Sequence, residues 1–336
     1  MLRSALSALV LCLLLLSCGK KRDIHPSFYH WKSEFALTKG ETDYLKQLSV
    51  KRLYVRLFDV AWEGNAATPR ASLRADSSAW QTWEVVPVVY ITNEVMLRVD
   101  ADEVPMLAQK ISTRMQRLLG GRQVPEIQID CDWSEQSRAS YFRLLEEIRK
   151  AWPGPTLSAT IRLHQVKYAG STGVPPVDRG MLMFYNMGDL RDPETQNSIF
   201  DPETAKPYLG GIKTYPLPLD VALPAFSWVV IVRQGRPIDL ISPAPVQELR
   251  DTSRFQAFTD QRFRVDSGTF LNGVYLYGGD ELRIEQVDYS LLQEAASLVA
   301  PLIRNPDIHL VYYHLTPQTA EQYPYESLEA ITRMFD

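Results

Sequence analysis

Eight apolar runs with strand character recur along this chain, with helical patterns between several of them. The runs are Phe28–Trp31, Arg52–Phe58, Val85–Thr92, Glu126–Asp132, Leu157–His164, Met181–Met187, Leu223–Val232 and Leu310–Leu315. Helical spacing of apolar residues covers Asp102–Leu119, Ser137–Trp152 and Tyr289–Ile303, with shorter patterns near Thr42–Leu48 and Tyr325–Phe335. In the second of these, Tyr141, Phe142, Leu145, Ile148 and Trp152 make one apolar face. Strands alternating with helices join through right-handed crossovers into a parallel sheet. Eight such units favour closure into an α/β fold of the (β/α)8 TIM-barrel class. An open doubly wound sheet is the alternative, but no glycine-rich phosphate loop follows the first strand.

Two stretches break the alternation. Residues Gly64–Ser78, rich in small and polar side chains, predict a long loop over the barrel mouth. Residues 255–288 predict a small β insertion after strand seven. Within it Phe263–Val265, Val274–Tyr277 and Leu282–Glu285 are strand-like and joined by Ser267-Gly268 and Gly278-Gly279-Asp280 turns. Tyr275 or Tyr277 is expected to wall the mouth from this element.

The N-terminus is a processing signal. Arg3 supplies positive charge, and Ala5–Leu16 is an apolar run too short to span a bilayer as a stable helix. Leu15-Leu16-Ser17-Cys18 resembles the lipobox of bacterial lipoproteins, in which the chain is cut before the Cys and that thiol is acylated. The expectation is a signal peptide over 1–17, lipidation of Cys18, a tether over 18–26 and a barrel over 27–336. The alternative is an ordinary secretory peptide with an incidental Cys. The lipoprotein reading implies a membrane anchor through lipid and a place in the bacterial cell envelope, with the outer membrane expected. Of the other cysteines, Cys12 is cleaved away and Cys131 has no partner, so no disulfide framework supports the fold. The five scattered histidines show no metal-site spacing, and neither a metal nor a cofactor is expected. A net charge of −4 with both signs interspersed argues against a nucleic-acid partner.

The run Ile127-Gln128-Ile129-Asp130-Cys131-Asp132-Trp133-Ser134-Glu135 carries the best functional clue. As a strand it puts Ile127, Ile129 and Cys131 on one face and Gln128, Asp130 and Asp132 on the other. Two carboxylates on one face of a buried strand are costly, and in a TIM barrel they would sit near the C-terminal mouth, where such enzymes keep their chemistry. Asp130-Cys131-Asp132-Trp133 resembles the strand-four signature of chitinase-like family 18 glycosidases. Met183-Phe184-Tyr185-Asn186 is similar to that family's Met-x-Tyr-Asp, and the insertion after strand seven falls where one chitinase subgroup carries its own.

The resemblance implies a glycosidase-like barrel whose partner is a glycan or oligosaccharide. Asp130 would be the inner supporting carboxylate, Asp132 the orienting one, and Tyr185 the partner of a substrate acetamido group. Asn186 stands where the family has Asp and retains hydrogen bonding without the charge. Ser134 occupies the position of the acid Glu, and a hydroxyl cannot serve as general acid near neutral pH. Two readings follow: a barrel that binds glycan with absent or weak hydrolysis, and an active hydrolase with a displaced acid. Glu135 would be that acid if a bulge turned it inward; Glu63 and Glu94, after strands two and three, are further candidates. Each is also an ordinary solvated loop residue. Arg162, Trp228 and Tyr313 are candidate substrate-binding residues, with Trp228 as the floor of a sugar subsite or simply a core ring. Arg56 and Arg162 beside the aspartates would equally form a neutralised structural network. Arg56 and Asp59 lie on strand two, and His164 and His314 read as hydrogen-bonded mouth residues.

Overall fold

The computed structural model describes residues 22–75, 82–185, 187–192 and 195–336. The segment expected as a signal peptide, Cys18 and Asn186 lie outside the described residues.

Eight parallel strands close into a barrel: β1 (Asp23–His30), β2 (Arg52–Glu63), β3 (Glu84–Ile91), β4 (Glu126–Asp130), β5 (Thr156–Arg162), β6 (Arg179–Met183), β7 (Leu219–Pro224) and β8 (Asp307–Tyr313). Each pairs with its successor in the chain, and β1 completes the ring between β2 and β8. The fold is a (β/α)8 TIM barrel. Helices Val104–Leu118 and Arg138–Ala151 cover its outside and bury the apolar stripe that their periodicity marks, Leu107, Ile111 and Met115 in one and Tyr141, Leu145 and Ile148 in the other.

Several boundaries differ from those the sequence suggested. The first strand starts at Asp23, so residues 23–26 belong to the barrel and not to a tether. Even Arg22 is docked, donating to the carbonyls of Ile303 at 2.9 Å and Phe335 at 3.2 Å. The segment expected as a loop over the mouth holds a strand, Ala66–Arg70, antiparallel to the end of β2. A second short strand, Arg74–Ala75, pairs with Glu34–Phe35.

The expected seventh strand, Leu223–Val232, is two strands of different sheets. Its first residues finish β7, whereas Ser227–Arg233 begins the insertion. The insertion therefore starts well before residue 255. It is a five-stranded antiparallel sheet ordered Arg236–Ile241, Ser227–Arg233, Glu281–Gln286, Arg262–Val265 and Phe255–Thr259, with a small hairpin of Thr269–Leu271 and Val274–Leu276. It has its own core, including Val229, Ile231, Phe255, Phe263 and Ile284.

One carboxylate ties this sheet to the barrel. Glu285 accepts from the backbone N–H of Ser198 and from the indole of Trp228, both at 2.8 Å, and also from the Ser198 hydroxyl. Its other oxygen accepts from Arg283 Nε at 2.7 Å, and both side chains are buried. Trp228 thus lies on the insertion and not on a barrel strand.

Candidate functional site

The lumen is polar through its full height, and β4 shows why. Glu126, Gln128 and Asp130 alternate inward and meet partners on neighbouring strands, level by level. Ser158 donates to Glu126 at 2.6 Å, Gln128 donates to Ser158 at 3.3 Å, and Thr160 donates to Asp130 at 2.6 Å. Tyr29, across the lumen, donates to Gln128 at 2.5 Å. Ile127, Ile129 and Cys131 face the helices, where the hydroxyl of Tyr141 reaches the Ile129 carbonyl. Cys131 is a buried free thiol.

At the N-terminal end the charges are matched. Arg52 donates to Glu126 at 3.0 Å and also pairs with Glu84; Arg179 donates to Asp220 at 2.6 Å. This end is a structural floor. Buried ions are tolerated there because each has a partner.

The C-terminal mouth is different. A cavity of about 230 Å³ is lined by Trp31, Arg56, Asp59, Tyr90, Asp130, Asp132, Arg162, Met183, Tyr185 and Tyr313. A second, of about 290 Å³, shares Asp132, Arg162 and Tyr185 and continues past Leu163, His164 and Met187 to Tyr208. Together they make a cleft across the mouth. One wall is aromatic: Trp31 lies 5.6 Å from Tyr313, Tyr313 lies 5.2 Å from Tyr185, and Phe226 packs against both tyrosines. Trp31 and Tyr313, half-buried, offer the ring surface a pyranose can stack on, and the buried Tyr185 and Phe226 back them.

Three carboxylates face the cleft, and each is held differently. Asp132 is clamped by Arg162 in a bidentate pair, Nε to Oδ1 at 2.5 Å and Nη2 to Oδ2 at 2.9 Å. Asp130 lies below it, 8% exposed. Burial, and then the nearby charge of Asp132, pushes the Asp130 carboxyl up to about 7, against which the Thr160 bond and Arg162 pull only in part. Asp59 has the loosest hold: its Oδ2 is 3.4 Å from Arg56 Nη1, and its Oδ1 is buried without a hydrogen-bond partner. Burial raises the Asp59 carboxyl above its usual range.

The structure thus brings together Asp130, Asp132, Tyr185, Arg162 and Tyr313. It separates the others. Glu135 is exposed in the turn that follows β4 and lines neither mouth cavity, because the chain leaves the strand after Asp130 and no bulge turns it inward. Glu63 pairs with Arg70, and Glu94 with Arg98 at 3.0 Å, on the exposed face of a short helix. No glutamate is among the described residues that line the mouth cavities. Ser134 is turned to Ser137, 3.3 Å between hydroxyls. Trp228 lines neither cavity; it packs on Phe226 behind the aromatic wall. Tyr275 and Tyr277 do not line them either, and stand 44% and 55% exposed on the insertion. His164 lines the second cavity from the short helix Leu163–Lys167.

Sequence reasoning overlooked Trp31, Tyr90 and Tyr208 as cleft residues. Trp31 closes the first apolar run, which is the position of a mouth residue on a barrel strand. Tyr208 had no signal of that kind.

A barrel with this polar C-terminal mouth has the architecture on which many enzymes build their sites. No family model matches the sequence, and neither does any curated protein. In fold the chain is similar to the spore cortex-lytic enzyme SleL of Bacillus cereus, with 17% identity and a TM-score of 0.55 over 94% of this chain and 75% of that one. The spore cortex-lytic enzyme SleL of Bacillus megaterium gives 13% identity and a TM-score of 0.55 over 95% and 76%. These likenesses are of fold.

Proposed function

We propose that this protein is an envelope lipoprotein whose glycosidase-like barrel binds glycan at its C-terminal mouth and hydrolyses it weakly or not at all. The observation that carries the reading is the Asp132–Arg162 clamp in a cleft lined by no glutamate among the described residues. A carboxylate whose two oxygens both receive guanidinium N–H groups has no free oxygen to turn to a substrate. The aromatic wall and the polar groups of Asp130, Tyr90 and Tyr185 remain available to hold a sugar.

Titration of chitotetraose into the barrel is expected to show saturable binding that weakens at least tenfold in Trp31→Ala and Tyr185→Ala. Turnover is expected about 10²–10⁴-fold below that of a glycosidase whose catalytic carboxylates are both free, the usual contribution of general acid–base catalysis. Rapid wild-type hydrolysis, or no binding to any member of a panel of oligosaccharides, would remove this reading.

The anchor half of the proposal rests on the Leu15-Leu16-Ser17-Cys18 run. Acylation at Cys18 with two or more chains holds a protein stably at a membrane, as one chain does not. Cys18→Ala is expected to release the protein from the membrane fraction or to stall its processing. A variant that is processed and still sediments with membranes would show that the anchor lies elsewhere.

A further inference from the structure

A register shift in β2 decides which of its side chains enter the mouth. Pairing with β3 runs regularly to Arg56↔Val88 and then resumes at Phe58↔Val89, so Leu57 is an extra residue in the strand. Strict alternation from Arg56 would send Phe58 inward and Asp59 to the helices. With the bulge, Phe58 packs outward under the Arg114 guanidinium on helix Val104–Leu118, and Asp59 enters the cleft beside Arg56. Bulges re-aim side chains in this way and are concentrated at active sites.

The bulge delivers a carboxyl with unusual freedom. Asp132 has both oxygens in the Arg162 fork, and Asp130 is buried beneath the cleft and held by Thr160. Asp59 makes only one long contact, 3.4 Å from Arg56, beyond the roughly 2.7–2.9 Å of a tight charge-assisted bond. Rotation about its Cβ–Cγ bond exchanges the oxygens, so either can carry a proton toward the cleft. It stands on the β1–β3 side with Trp31 and Tyr90, whereas Asp132 and Arg162 come from the β4–β5 side. A sugar in the cleft lies between them.

We propose that Asp59 is the proton donor for the slow glycoside hydrolysis of this site, a displaced general acid on strand two. The proposal rests on the glycan reading of the mouth. In the step, the bond from C1 to the glycosidic oxygen breaks with its electron pair staying on oxygen, and that oxygen takes the Asp59 proton. Water adds to C1 and gives its proton to the Asp132 carboxylate; Asp132 then releases that proton to solvent, and solvent returns one to Asp59, so the cycle closes with one water consumed. The reaction is slow because the Arg162 fork occupies both Asp132 oxygens, and the water has to displace one of its N–H groups to reach the carboxylate. Desolvation keeps Asp59 able to hold a proton at higher pH than a surface aspartate.

The test compares leaving groups on the intact barrel. Chitotetraose needs its departing alkoxide protonated, whereas the 2,4-dinitrophenolate of dinitrophenyl chitobioside does not. Asp59→Asn is expected to lower kcat/KM at least about 10²-fold on chitotetraose and less than tenfold on the dinitrophenyl glycoside. It should also flatten the alkaline limb of the pH–rate profile, and Asp59→Glu should recover part of the loss. Binding of chitotetraose by Asp59→Asn, measured by titration, verifies that the variant is folded and its mouth intact. Equal losses on both substrates, an unchanged pH profile, or a wild type that binds chitotetraose yet turns over neither substrate would overturn the role of Asp59. The last of these leaves the binding reading standing. Absent binding defeats both.

Discussion

Glu285→Ala is expected to destabilise the protein by about 3–5 kcal/mol, the cost of breaking a buried ion pair by removing one partner. The substitution strands Arg283, 6% exposed, whose Nε now donates to Glu285 at 2.7 Å, and it removes the acceptor for Ser198 and for the Trp228 indole. Four donors lose their partner at once, and each buried orphan adds a desolvation cost. Chemical denaturation measures the loss. Glu285→Gln should cost less, because the amide keeps one acceptor and the shape. The double variant Glu285→Leu with Arg283→Met should recover much of the difference, since an apolar pair replaces the ions without an uncompensated charge. A loss below about 1 kcal/mol in Glu285→Ala would mean that the guanidinium finds water and that the sheet is not tied to the barrel through this carboxylate. The same variant should weaken glycan binding, because Trp228 backs Phe226, and Phe226 backs Tyr185 and Tyr313.

The face that carries Asp130 and Asp132 was legible because β4 is regular, and a period of two needs nothing beyond the strand itself. The same reasoning ran out wherever the period broke. At Glu135 the chain has already left the strand, so parity no longer says where a side chain points. At Asp59 the extra residue Leu57 inverts parity, and nothing in Arg56-Leu57-Phe58-Asp59 marks a bulge, since both middle residues are apolar and both end up buried. The seventh strand failed for a related reason. Leu223 to Val232 is apolar almost throughout, and Pro224-Ala225-Phe226 turns the chain from the barrel to the insertion without any polar residue. Apolar content reports burial, and these two strands are buried against different sheets. The Arg162–Asp132 clamp was half visible: alternation placed both side chains in the lumen, but only geometry shows that one fork occupies both carboxylate oxygens.

Asp130→Asn is expected to make the protein more stable than the wild type above pH 7, by about 2 kcal/mol, within what relief of a functional strain commonly yields. The sign follows from the carboxyl being raised to about 7 in the fold, first by burial and then by Asp132, against about 3.9 in an unfolded chain. Between those two values the folded protein binds the proton that the unfolded chain has released, so stability falls as pH rises through this window. Below about 3.9 both states hold the proton and the group contributes nothing; above about 7 the full cost of the buried charge is present. The asparagine keeps an oxygen for the Thr160 hydroxyl, now 2.6 Å away, and carries no charge at any pH. Melting temperatures of the two proteins should therefore converge near pH 4 and separate as pH rises to 8. A variant less stable than the wild type at pH 8 would show that Asp130 is a stabilising member of the lumen network. The expected result instead marks a carboxylate kept in place at the expense of stability. Its place at the base of the mouth makes it a group of the site, and Asp130→Asn should then weaken glycan binding while it strengthens the fold.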